Sequence, residues 1–168
     1  MARGEGTPEQ RAAVLKERIY ITFTSLAVVM ALGSHADELT AGAAAVTLLI
    51  AVVGTLLAVF VADLVAFIAI HTTVPDRAEL GHMASVSIRA LGVVGLPMIF
   101  VGLAGLGVWE VARALRASTI ALIISLVAIG YVAVRRVRLP LGQRLIVLFA
   151  EFGLGVAVVA LELLAHAG

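Results

Sequence analysis

Apolar residues fall in long blocks between Ile19 and Leu164, and the charged residues collect in the gaps between those blocks. The blocks lie at Ile19–Gly33, Gly42–Ile70, Ile88–Trp109, Ser118–Val134 and Leu145–Leu164. Charge-poor stretches of this length are what a helix needs to cross a bilayer. Lipid offers no water to an unpaired backbone amide, so such segments must be α-helical. The pattern predicts an all-α, polytopic transmembrane helical bundle of five spans, forming one membrane domain over residues 1–168. The second block, at 1.5 Å per residue, covers about 44 Å and has to tilt or project beyond the hydrocarbon. The fourth, 17 residues long, is near the lower limit for spanning.

Local signals refine the first and third elements. Thr7-Pro8-Glu9-Gln10 reads as a helix start, with Thr7 as cap, Pro8 at the first helical position and Gln10 reaching back. The first element therefore runs over 7–33, an amphipathic lead-in carrying Lys16, Glu17 and Arg18 into the first span. A cleavable leader is the competing reading of this segment. Glu5, Glu9 and Glu17 and the helix-start chemistry argue against it. Pro97 should kink the third span near its cytoplasmic third.

Composition agrees with the pattern. Hydrophobic residues make up 62% of the 168-residue chain, against roughly 45–50% in soluble domains, and the excess must face lipid. A net charge of +1 argues against a nucleic-acid partner. There is no cysteine, which removes disulfides, thiolate metal sites and thiol catalysis.

The basic residues set an orientation for the five-span layout. Arg3, Arg11, Lys16, Arg18, Arg77, Arg89, Arg135, Arg136, Arg138 and Arg144 lie on one side, and Arg113 and Arg116 on the other. This bias predicts a cytoplasmic N-terminus and an external C-terminus in a bacterial-type cytoplasmic membrane. The Arg135–Arg138 cluster sits at a span end and reads as an anchor to anionic headgroups.

Small residues are the expected packing surfaces, because close backbone approach replaces the hydrophobic effect between helices in lipid. Thr47, Ala51, Gly54, Ala58, Ala62 and Ala66 form a stripe on the second span. The third span is glycine-rich, the fourth carries Ala121, Ser125 and Ala128, and the fifth Gly153 and Ala157.

Charges inside spans are where function is sought. Asp63 in the second span and Glu151 in the fifth fall at similar depth in the five-span layout, with Arg89, Thr22, Thr24 and Ser25 near that level. Arg89 can pair with Asp63 or Glu151 as a structural ion pair. Alternatively the two carboxylates share a proton or a cation with hydroxyl oxygens, or a side chain snorkels to the lipid surface. Two close carboxylates would hold one pKa up. Glu162 and His166 continue the Glu151 face toward an acidic outer mouth with Asp37, Glu38 and Glu110; taken alone, the two read more simply as interface residues, solvated or paired with each other.

Other chemistries lack their motifs. There is no P-loop, dinucleotide fingerprint, nucleophile elbow or potassium filter, and no serine has a convincing histidine partner. No histidine–carboxylate pair has a dedicated metal spacing, so neither a metal nor a cofactor is expected, nor an enzyme.

Arg18-Ile19-Tyr20-Ile21-Thr22-Phe23-Thr24, with Ala62-Asp63 through His71, resembles small uncharacterised integral membrane proteins of high-GC bacteria. The likeness covers the first two spans and implies no activity. Five spans with an extended first helix also resemble vacuolar-type iron transporters in layout, but the acidic and methionine metal-binding pattern of that family is missing. The expectation is a small cation or proton channel or transporter, homo-oligomeric, with the lipid bilayer and a monovalent cation or proton as partners. Asp63 and Glu151 would form its internal site, Arg89 would tune it, Thr22 and Ser25 would add oxygens, and Glu162 and His166 would serve the outer mouth. The alternative is a non-transporting membrane scaffold that docks other proteins through its small-residue faces.

Overall fold

The computed structural model describes residues 8–135 and, farther on, positions 142, 145, 146, 149, 153, 156 and 160. Within 8–135, side chains are described from Ala12 to Ala133. The described residues contain α1 (Pro8–Gly33), α2 (Ala41–His71), α3 (Arg77–Ala90), α4 (Gly95–Gly105) and α5 (Val111–Arg135), with no strand among them. A 3-10 turn, Leu91–Val94, joins α3 to α4 as one 29-residue rod.

Helix ends follow local chemistry. Thr40 caps α2 by accepting the Ala43 amide at 3.2 Å. The helix ends where Thr72 turns left-handed (φ 55°) and gives its amide to the Ile68 carbonyl at 2.8 Å. A full capping box starts α3: Asp76 accepts the Glu79 amide and Glu79 accepts the Asp76 amide, both at 2.8 Å. The third helical segment therefore begins at Arg77 and not at Ile88, where the apolar block starts. Pro97, in the first turn of α4, has no amide for the carbonyl of Val93. The α-helical pattern gives way to 3-10 just before it, over Leu91–Val94.

The expected five spans are not found. Three helical stretches among the described residues are long and apolar enough to cross a membrane: Ala41–His71, Arg77–Gly105 and Val111–Ala133. These make the chain a membrane-embedded protein, but they overturn the count of five and the orientation built on it. The first block fails for a physical reason. Its 15 apolar residues (Ile19–Gly33) reach only about 22 Å, against roughly 30 Å of hydrocarbon, and Lys16, Glu17 and Arg18 precede them directly. The fifth block lies largely outside the described residues. Its described positions, including Leu145, Ile146, Phe149 and Val156, are helical and exposed.

Instead of facing lipid, α1 is the hub of the bundle, packed against α2, α3 and α5, while α4 lies on α2 and α5. Its buried face is Glu17, Ile21, Thr22, Ser25, Leu26 and Val29, the spacing of one side of a helix. Ile21, Leu26 and Val29 meet Ala44, Leu48 and Val52 of α2, Val101 of α4, and Leu115 and Leu122 of α5 in one core cluster. Gly105 lies with Ala41 Cβ 3.7 Å from where its own Cβ would stand. That contact brings the α1–α2 and α4–α5 turns to the same end of the bundle.

Among the described residues, the small-residue stripe on α2 is left largely uncovered. Thr47, Gly54, Ala58, Ala62 and Ala66 are exposed, and a Cβ on Gly54 would touch nothing within 4 Å. Gly92, Gly95 and Gly102 are equally open. With both faces of α2 apolar, composition does not choose between them, and the core is built on the face carrying Ala44, Leu48 and Val52.

Candidate functional site: a buried carboxyl where α1, α2 and α3 meet

Consecutive helix positions point about 100° apart, so Lys16 and Glu17 of α1 serve different surroundings. Lys16 Nζ donates to Asp63 Oδ1 of α2 at 2.9 Å, in a pair that is partly exposed on both sides. Beside it a shallow groove of about 370 Å³ opens between α1 and α2, lined by Lys16, Tyr20, Thr55, Ala58, Ala62 and Asp63. The groove exists because Ala58 and Ala62 are too small to fill the space next to Tyr20.

Glu17 turns inward and is only 2% exposed. Its Oε1 accepts from Ser87 Oγ of α3 at 3.2 Å. The same hydroxyl lies 3.4 Å from the Met83 carbonyl, one turn earlier in α3. Glu17 Oε2 is buried and has no hydrogen-bond partner among the described residues. Unpaired buried carboxylate oxygens are costly, and the penalty falls on the charged form. Glu17 belongs to α1, outside the three spanning helices. Burial holds its carboxyl above the ordinary carboxylate range; the Ser87 hydrogen bond opposes this, the charge of Asp63 adds to it, and Lys16 opposes it.

A second orphan lies on the same face of α1. Ser25, two turns beyond Glu17, is fully buried and its hydroxyl has no partner among the described residues. Ile21 sits between them on the stripe. Thr22, also fully buried, donates to the carbonyl of Arg18 at 2.6 Å, and Ser118 of α5 satisfies itself on the Ala114 carbonyl at 2.8 Å.

The structure redistributes the residues that the sequence singled out. Among the described residues, the ion pair of Asp63 is with Lys16 rather than Arg89. Arg89 is exposed near the end of α3. Thr22 and Ser25 lie six and nine residues beyond Lys16 on α1, about 9 and 14 Å farther along the axis, so they are not gathered around Asp63. Glu151, Glu162 and His166 lie outside the described residues. Glu17 and Ser87 are the residues sequence reasoning missed. Their signal was present: Glu17, Ile21, Ser25 and Val29 repeat every four residues, which puts the carboxyl on the face of the most buried apolar residues. A charged triplet preceding an apolar run reads as a solvated turn unless that phase is followed.

Among the described residues, no group of three or more histidines, cysteines or acids could hold a metal ion. No family model matches the chain, and neither the curated proteins nor the solved structures include a significant match to it.

Proposed function

We propose that this membrane protein moves a proton or a monovalent cation, with Glu17 as the internal group that binds it and the Lys16–Asp63 pair bordering the groove beside it. The observation that carries this reading is a carboxyl shut inside a bundle of membrane-crossing helices with one oxygen unpaired. A group of that kind is costly to keep and marks an ion or proton pathway in membrane proteins. Under this reading the internal acid is Glu17, in the role that was expected of Asp63 and Glu151. Glu17→Gln, reconstituted in proteoliposomes, should lose the ion flux of the parent while its helical circular dichroism is unchanged. A Glu17→Gln variant that conducts like the parent refutes the assignment.

The alternative is a scaffold without transport activity. It draws on the open stripe of α2, where a Cβ on Gly54 would meet nothing within 4 Å among the described residues and another helix could approach closely. Under that reading the purified protein moves no ion in any gradient, and Gly54→Leu disrupts association while leaving the monomer folded.

A further inference from the structure

Glu17 has a hydrogen-bond pattern that distinguishes between the species it could bind. We propose that Glu17 reversibly binds a proton at Oε2, and that the carried species of the reading above, on which this inference rests, is that proton and not a dehydrated metal cation. Three observations converge. First, the oxygens at hand are too few for a metal cation. Among the described residues Glu17 supplies two, Ser87 one and the Met83 carbonyl beside it one, too few to replace the hydration shell that a monovalent cation must give up to enter a closed site. Second, the place a cation would take beside the neighbouring carboxylate is filled by the ammonium of Lys16, 2.9 Å from Asp63 Oδ1. Third, the two carboxyl oxygens are unlike. Among the described residues, Oε1 has its donor in Ser87 and Oε2 has none. A neutral acid has that same asymmetry, one oxygen accepting and the other bearing hydrogen.

The step balances simply. On binding, an O–H bond forms at Oε2 as a hydronium gives up its proton and leaves as water; release is the reverse. The Ser87–Oε1 hydrogen bond persists in both states, so the exchange requires no repacking of α3. Among the described residues, the charges that act on Glu17 are Lys16 on its own helix and Asp63 on α2, and α3 contributes the neutral Ser87.

The test separates the site from the transport. Infrared difference spectra of the purified protein, taken as pH is raised, should show the carbonyl stretch of a protonated carboxyl being lost. Glu17→Gln should abolish that band, Asp63→Asn should keep it, and Ser87→Ala should shift it by removing the donor to Oε1. Absence of a band that Glu17→Gln removes overturns the proton assignment. In parallel, proteoliposomes carrying a pH gradient should dissipate it, whether the background salt is sodium, potassium or choline chloride. Sodium or potassium flux that Glu17→Gln abolishes likewise overturns the proton assignment. A band with the expected behaviour in a protein that moves no ion supports the proton site and rejects only the transport reading.

Discussion

Ser87 is the donor that satisfies half of the Glu17 carboxyl, and removing it provides a quantitative test of the site. Ser87→Ala deletes a 3.2 Å hydrogen bond at a position only 8% exposed. A neutral hydrogen bond contributes about 0.5–1.5 kcal/mol net and one to a charged group about 1.5–3. Glu17 is held toward its neutral form, so the loss should be about 1 kcal/mol at low pH and nearer 2 where the acid ionises. The control is the same substitution beside Glu17→Met, a side chain of similar length with no oxygen to satisfy. There Ser87 keeps only its 3.4 Å approach to the Met83 carbonyl, and its removal should be almost neutral. The double-mutant cycle should therefore show a coupling of about 1 kcal/mol, above the 0.3–0.5 by which independent sites fail to add. Equilibrium unfolding by SDS in mixed micelles measures all four proteins. Equal losses for Ser87→Ala in the parent and in the Glu17→Met background would refute the assigned contact.

Because the folded state raises the Glu17 pKa above its ordinary value of 4.5, the native protein binds this proton more tightly than the unfolded chain. Its contribution is present below the ordinary value and declines as pH rises through the raised one. The thermal midpoint of the parent should thus fall relative to Glu17→Gln over that interval; a parent that gains on the variant as pH rises contradicts the shift. Lys16→Ala and Asp63→Asn should each cost less than about 1 kcal/mol, since the pair is partly exposed, and a larger loss on unfolding would mean that water is kept from the groove. On α2, Leu48→Ala should cost about 2–5 kcal/mol, because Leu48 is fully buried, whereas Leu57→Ala, 60% exposed, should cost far less. Similar losses at the two positions would show that the wrong face of α2 has been assigned to the core.

The membrane character and the helical class were legible in the sequence because they depend on summed apolarity, which needs no partner to be counted. The extent of α2 was legible for the same reason, with an apolar block between Thr40 and His71. The start of α3 was readable too, in the Asp76–Glu79 spacing, but the charged residues after it resembled a loop. Span counting failed at α1, where an apolar run too short for the bilayer is sheltered by its neighbours rather than by lipid.

What the sequence determined by itself is that this chain enters a membrane as helices, since the bilayer imposes the same backbone requirement on any apolar segment. Only the tertiary structure decided which acid is enclosed. The backbone of α1 forms the same helix whichever way Glu17 points; only when α2, α3 and α5 close around α1 is its surrounding fixed, and with Lys16 paired to Asp63 its hydrogen-bond partner among the described residues is Ser87. The face that α2 turns inward was decided the same way, because lipid accepts either face and only the shape of the partner tells them apart.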